Sequence, residues 1–172
     1  MAKRTVIIDN SLDGAAAGAA FLLANPDAGV FISSSYSLPS RLANLPEWGR
    51  DITETTILGI GCRRLEAELT EAMRTLSGLG VSISWISHGR GYPEYESAVE
   101  GLCTLIREPD STTLTHAVLS SLGLTDHPRA AFLLAIAEAG RIENLKDRGQ
   151  KTMAELAVAS MYRFFQLGDR EA

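Results

Sequence analysis

The feature that most constrains the fold is an alternation between short apolar runs and stretches with helical periodicity. Residues 4–9 read RTVIID and are β-branched or apolar at positions that would face both sides of a sheet. Strands buried on both faces are typical of parallel sheets. Four further runs follow the same pattern, at residues 28–35, 54–61, 81–87 and 102–107. The sequence therefore predicts about five strands in a mostly parallel sheet.

Helical patterns separate these predicted strands, as the crossovers between parallel strands require. The clearest is at residues 64–79, where leucine or methionine recurs every three or four residues. Residues 13–25 have an alanine- and glycine-rich face that would pack closely on a sheet. Three shorter helical segments are predicted at 38–47 with a break at Leu45-Pro46, at 94–101 and at 112–122. Together these patterns predict an α/β fold with helices on both faces of the sheet.

The pattern changes after residue 125, where helical segments follow one another without a further strand. Residues 130–139 are almost wholly apolar, so we expect that helix to be buried. A last helix is predicted at 151–167. It places an apolar stripe on one side, made of Met153, Leu156, Ala157, Met161, Phe164 and Phe165. The stripe would either cover the sheet as part of the core or form a homo-oligomer interface. The chain is thus predicted to be one domain over 1–172, with an α/β core at 1–125 and C-terminal helices at 126–172.

Composition narrows the class of protein. The 172 residues are 45% hydrophobic and 22% charged, which is ordinary for a globular domain, and the net charge of −5 argues against a broad nucleic-acid-binding face. Cys62 and Cys103 lie in no cysteine or histidine cluster, so a structural zinc site is not expected. No apolar run approaches the roughly 18 residues of a membrane span, and the apolar run after the basic start is too short for a signal peptide. We therefore expect a soluble, cytoplasmic protein that does not bind membranes.

Functional sites in folds of this class lie at the carboxyl ends of the strands. That rule selects four stretches, at residues 9–14, 33–37, 59–63 and 87–91. In the first, Asp9 and Asp13 could bind Mg²⁺ or Mn²⁺, which prefer oxygen ligands, or they could be a strand end and a helix cap. In the second, the hydroxyls of Ser33 and Ser34 could bind a phosphate or could belong to an ordinary turn.

The other two strand ends carry a glycine pair and a histidine. Gly59-Ile60-Gly61 is not a dinucleotide fingerprint, because Arg64 stands where the third glycine would be, and close chain passage explains these glycines better. His88 could act as a general base, a metal ligand or a phosphate donor. Its neighbours Ser87, Gly89 and Arg90 could contribute to a phosphate site, Arg90 through its bidentate guanidinium, or form a polar loop.

The order of these stretches resembles the DHH phosphoesterase superfamily, whose members are Mn²⁺- or Mg²⁺-dependent phosphoesterases and pyrophosphatases. The family's first motif, His-x-Asp-x-Asp-Gly before an alanine-rich helix, corresponds to residues 9–14. Its signature, Asp-His-His after an apolar strand, corresponds to residues 87–89. Between them, Pro26-Asp27-Ala28, the serines at 33–35 and Leu38-Pro39 also resemble family members. The resemblance covers roughly residues 4–125 and implies the N-terminal DHH domain.

Most of the family's metal-binding positions are replaced in this chain. Asp9 stands at the first histidine, Ser11 at the first aspartate and Gly59 at the strand-three aspartate. Ser87 and Gly89 replace two of the three signature residues, which leaves Asp13 and His88. The family's later aspartate has no clear counterpart, although Glu138 and Glu143 lie in the right region.

The resemblance therefore implies a degenerate metal site. Asp9, Asp13 and His88 could together bind one Mn²⁺ or Mg²⁺ ion, and the pattern is equally compatible with no metal. Two functions follow. One is a catalytically impaired ligand-binding or assembly module, for a phosphate- or nucleotide-like ligand or a protein partner. The other is an active metal-dependent phosphoesterase with a reduced metal site, in which Asp13 and His88 would be the catalytic residues.

Overall fold

Five strands form a single sheet in the computed structural model, which describes residues 3–48, 51–61, 66–88, 97–108 and 112–139. The strands are β1 (Lys3–Ile8), β2 (Gly29–Ile32), β3 (Ile52–Leu58), β4 (Ser82–His88) and β5 (Thr104–Glu108). All neighbouring pairs are parallel, and the strand order is β2-β1-β3-β4-β5. The predicted five-stranded α/β sheet is confirmed.

Helices cover both faces of this sheet. The described helices are α1 (Leu12–Ala24), α2 (Leu38–Trp48), α3 (Glu66–Gly78), α4 (Leu114–Ser121) and α5 (Ala130–Ala139), with a helical turn at 97–99. Helices α2 and α3 pack together on one face, and α1, α4 and α5 pack together on the other. No helix within these described ranges is long and apolar enough to cross a membrane.

The carboxyl-terminal halves of β1 and β3 are buried because each face of the sheet meets a helical layer there. Successive side chains of a strand point to opposite faces, so neighbouring residues enter different cores. Ile7, Ile57 and Trp85 pack with α2 and α3, whereas Ile8 and Leu58 pack with α1 and α4. This arrangement explains the run of apolar residues from which the parallel sheet was predicted.

The small residues of α1 let that helix approach the central strand closely. Ala17 and Ala20 are fully buried, and a Cβ atom added at Gly18 would lie 3.0 Å from Cγ2 of Ile8 on β1. Larger side chains on this face would push α1 away from the sheet. The predicted close packing of the alanine face is therefore confirmed.

Helix α2 differs from its prediction, because it continues through Pro46 to Trp48. A proline inside a helix removes one backbone hydrogen bond and crowds the preceding turn. Here the proline lies in the last turn, where little helix remains to be disrupted. Leu38, Leu42 and Leu45 are all fully buried against the sheet, and their burial favours the continuous helix.

The expectation that the helix at residues 130–139 is buried holds for one side of the helix. Ala130, Leu133 and Ala137 are buried, but Phe132 is 68% exposed. The reason is geometric, since among the described residues only one side of α5 meets the layer that α1 and α4 form. The last predicted helix, at 151–167, lies outside the described residues.

We predict that Ala17→Leu destabilises the fold by about 1–3 kcal/mol, because extra carbons in a filled core force side chains and backbone to shift. The matched control is Ala24→Leu at the exposed end of the same helix. Urea denaturation followed by circular dichroism measures both free energies of unfolding. Equal stability of the two variants would contradict close packing between α1 and β1.

Candidate functional site

The carboxyl ends of β1 and β3 define the crevice where this topology places functional sites. The chain passes from β1 to β2 on one side and then returns to β3 on the other side of β1. Connections that diverge from neighbouring strands leave a crevice beyond their carboxyl ends. Asp9 follows β1 and Gly59 follows β3 at this point.

The Asp9 carboxylate is held by its own loop at this crevice. Its Oδ1 accepts a hydrogen bond from the Ser11 hydroxyl at 2.8 Å. The same Ser11 hydroxyl accepts from the Gly14 amide at 2.9 Å, so Ser11 is the N-cap of α1. A Cβ atom at Gly14 would overlap Asp9 Oδ1, which explains why glycine is needed there. The loop at residues 9–14 is therefore built around the position of this carboxylate.

Asp13 binds the start of a different helix. Its Oδ2 accepts from the Leu114 amide at 2.8 Å, and its Oδ1 accepts from the Thr115 amide at 2.9 Å and the Thr115 hydroxyl at 2.8 Å. The first amides of a helix have no partner within the helix, and its amino end favours negative charge. Asp13 thus caps the first two amides of α4 from a distant part of the chain, beside the N-cap residue Thr113, whose hydroxyl accepts from the His116 amide. Ser11 caps α1, the helix for which Asp13 was considered as a cap.

An apolar side chain occupies the space beside Gly59. Leu114 is 1% exposed, and a Cβ atom at Gly59 would lie 2.5 Å from its Cδ2 atom and 3.8 Å from Cγ of Asp9. Gly59 also has a φ of +69°, a conformation that disfavours residues with a side chain. The expectation that this glycine permits close chain passage is confirmed, and Leu114 is the group that requires it.

Neighbouring backbone is fixed in place around Gly59. The Gly59 amide donates to the Ile86 carbonyl of β4 at 3.0 Å. The Trp85 indole donates to the Ile60 carbonyl at 3.0 Å from a buried position. The chain that leaves β3 is therefore held firmly against β4.

The serines after β2 bind one another. The Ser37 hydroxyl lies 2.9 Å from the Ser33 hydroxyl and 3.0 Å from the Ser34 hydroxyl, and it accepts from the Ser34 amide at 3.0 Å. This network forms the turn that leads into α2. Arg41 donates to the Ile32 carbonyl at 3.2 Å, which brings a cation to the same strand end. Arg41 was not predicted from the sequence as a site residue. Its position one turn into α2, shortly after the serines, could have indicated that its guanidinium lies near this strand end.

The signature region is only partly described. Ser87 and His88 are the last two residues of β4 and pair in register with Arg107 and Glu108 of β5. The His88 side chain and the predicted ligands Gly89 and Arg90 lie outside the described residues. Glu138, one of the two residues considered for the family's later aspartate, lies on α5. The other, Glu143, lies outside the described residues.

The described residues do not fit a two-metal centre. Within the ranges that the structure describes, no three histidine, cysteine, aspartate or glutamate residues are grouped so that they could bind a metal ion. Both oxygens of Asp13 accept hydrogen bonds from α4, and Gly59 has no side chain to offer. A single ion at Asp9, Asp13 and His88 stays a prediction.

Comparison with solved structures shows that this α/β fold occurs in other proteins. Cdc45 from Entamoeba histolytica matches with a TM-score of 0.61 at 9% sequence identity, over 94% of this chain and 34% of the Cdc45 chain. This chain therefore spans about a third of that protein's length. RecJ from Thermus thermophilus, solved with Mn²⁺, matches with a TM-score of 0.47 at 19% identity, over 81% of this chain and 21% of the RecJ chain. No family model and no curated protein sequence matches the chain.

We predict that Asp13→Ala destabilises the fold by about 2 kcal/mol, because it leaves the first amides of α4 without their acceptor. Asp13→Asn keeps one carbonyl oxygen and should cost less. Asp27→Ala, at an exposed loop position, is the control and should change stability by no more than about 0.5 kcal/mol. Chemical denaturation measures all three, and an Asp13→Ala variant as stable as the control would contradict the capping role.

A second prediction concerns the contact between Gly59 and Leu114. Gly59→Ala should destabilise the fold by about 2–4 kcal/mol, since it adds both backbone strain and a steric clash. In the double variant with Leu114→Ala the clash is removed while the strain remains. A double-mutant cycle should therefore give a favourable coupling of about 1 kcal/mol or more. Strictly additive effects would show that Leu114 does not occupy the space beside Gly59.

Proposed function

We propose that this chain is a DHH-type domain that does not hydrolyse phosphoesters and that serves as a ligand-binding or assembly module. The observation that carries the proposal is the use of the Asp13 carboxylate as the cap of α4. The residue that the family resemblance makes the best surviving metal ligand is engaged in holding two helices together.

Charge at the crevice also favours this proposal. Two divalent cations about 3.5–4 Å apart need several carboxylates to offset their repulsion. Ser11 and Gly59 stand at two of the family's carboxylate positions and carry no charge. The Ser11 hydroxyl is engaged as well, with Asp9 and with the Gly14 amide.

The apolar side chain of Leu114 at the crevice also favours a domain that does not hydrolyse phosphoesters. In metal-dependent phosphoester hydrolysis, a metal-bound water attacks the phosphorus. Leu114 lies beside Gly59 and packs with Ile8, Leu58 and Ile86. A buried leucine at this position offers no ligand to a metal and no hydrogen bond to a water or a phosphate.

The polar strand ends that remain suit a phosphate- or nucleotide-like ligand. The turn at Ser33 and Ser34 brings hydroxyls and the Arg41 guanidinium to the end of β2. Ser87 lies near the end of β4, and Gly89 and Arg90 follow that strand in the sequence; these residues could complete such a site from the other side of the crevice. We propose that this ligand-binding or assembly function is performed in the cytoplasm, in keeping with a chain whose two cysteines form no cluster.

The test combines metal binding with turnover. We expect calorimetric titration of the full chain with Mn²⁺ to show no pair of tight sites. We also expect no hydrolysis of a generic phosphodiester or a short oligonucleotide with Mg²⁺, Mn²⁺ or Co²⁺ at high protein concentration. Thermal shift measurements with inorganic phosphate and mononucleotides then test ligand binding, with Arg41→Ala as the variant expected to lose any shift.

Two results would overturn the proposal. One is a pair of tight Mn²⁺ sites that His88→Ala abolishes in a variant that remains folded by circular dichroism. The other is metal-dependent turnover that the same variant loses. His127→Ala is the matched control for His88→Ala, since that histidine lies in the segment before α5 and outside the crevice.

A further inference from the structure

A groove runs between α2 and α3 on the side of these helices that faces away from the sheet. Their inward sides are buried in the core through residues such as Leu42 and Met73. Their outward sides leave a groove of about 820 Å³. Its apolar lining consists of small residues, namely Pro39, Ala43, Ala67 and Ala72. Small side chains let a further helix approach closely, because the distance between packed helices depends on the side chains at the contact.

The groove is about two helical turns long. On α3 its lining extends from Ala67 to Thr75, which is eight steps of 1.5 Å or about 12 Å. Helices that bind in grooves of this kind anchor themselves through apolar residues at positions i, i+3 or i+4, and i+7. Two turns of a partner helix present these three anchors on one side.

An exposed tyrosine stands at one end of the groove. Tyr36 lines the groove two residues before α2 and is 71% exposed. Its neighbours in the turn are Ser35 and Ser37, so the ring is a large apolar group in polar surroundings. Tyrosine is enriched among the residues that carry binding energy in interfaces, since it offers a large contact area at low cost in conformational entropy. Tyr36 is therefore placed to contact a partner that lies in the groove.

The charge of the groove selects the chemistry of that partner. Glu68 and Glu71 lie exposed along the α3 side, and none of the described residues that line the groove is basic. Arg74 donates to Glu71 at 3.3 Å, but the two side chains are 62% and 72% exposed. Because exposed pairs of this kind contribute only about 0–1 kcal/mol, Glu71 stays able to pair with an incoming cation. The net charge of −5 also attracts a basic partner and repels a second copy of the chain.

We propose that the groove between α2 and α3 binds a basic amphipathic helix of a partner protein. The apolar side of that helix packs on the alanines and against Tyr36, and its lysine or arginine side chains pair with Glu68 and Glu71. This inference rests on the assembly function proposed above and gives that function a surface and a partner chemistry. The two can fail separately, because metal binding and turnover report on the crevice, whereas helix binding reports on the groove.

The test is a titration of the full, isotope-labelled chain with a synthetic helical peptide, followed by NMR. The peptide has about 14 residues, with leucines at the three anchor positions and lysines beside them. A second peptide of the same length has glutamate in place of every lysine. We expect saturable one-to-one binding of the lysine peptide alone, with amide shifts confined to residues 36–48 and 66–78. Binding should weaken by about tenfold between roughly 50 and 300 mM salt, because salt screens exposed charges.

Variants at exposed positions locate the site without disturbing the core. Glu68→Lys should raise the Kd of the lysine peptide by about tenfold, whereas Asp126→Lys, an equal change of net charge beside the opposite helical layer, should change it by no more than about twofold. Ala43→Gln fills the groove and should also raise the Kd by about tenfold, while Asn44→Gln at the next, exposed position should not. Tyr36→Ala should weaken binding by about tenfold or more.

Four results would contradict the proposal. The first is no saturable binding of the lysine peptide at millimolar concentration. The second is equal binding of the glutamate peptide, and the third is a set of amide shifts outside α2 and α3. The fourth is a dimer mass in light scattering that Ala43→Gln converts to a monomer, which would make a second copy of the chain the occupant of the groove.

Discussion

The hydrogen bonds from the start of α4 to Asp13 join parts of the chain that are 101 residues apart in sequence. One carboxylate accepts two backbone amides and a hydroxyl, so it satisfies groups that the helix itself cannot pair. Because Asp13 lies in the first turn of α1, this contact sets α4 next to α1 over the carboxyl end of the sheet. The position of Leu114 beside Gly59 follows from it.

This arrangement turns a crevice that is a functional site in other parallel sheets into a packed region. A side chain that caps a helix or fills the core is less able to bind a metal ion or another ligand. Asp13 oxygens that accept amide hydrogens are less available to a cation, and the volume that Leu114 fills is closed to a ligand. The parallel sheet and its helices surround a centre whose described residues act through packing and capping. Among the described residues, the serine hydroxyls and the Arg41 guanidinium lie further out, at the end of β2.

The elements of the fold could be predicted from local sequence, whereas the contacts at the site could not. Strands such as β1 are indicated by apolar residues on both faces, and α1 by its alanines, because each signal lies within a few residues. The pairing of Asp13 with Leu114 and Thr115 depends on a distant segment, so no sequence pattern near Asp13 predicts it. Helix α2 continued through Pro46 for the same reason, since the burial of its leucines is a property of the assembled fold. The resemblance to DHH proteins directed attention to the loop at residues 9–14, and the structure shows that Asp13 in this loop accepts hydrogen bonds from the start of α4.

The conformation of Gly59 also affects how such a protein can change over evolutionary time. A single substitution to aspartate would place a side chain on a backbone with a φ of +69° and against Leu114. A carboxylate at this position would require a shift of the backbone and a smaller side chain at position 114 at the same time. Each of these changes alone would weaken the fold. The packing of one leucine therefore makes it unfavourable for a carboxylate to arise at position 59 by a single substitution.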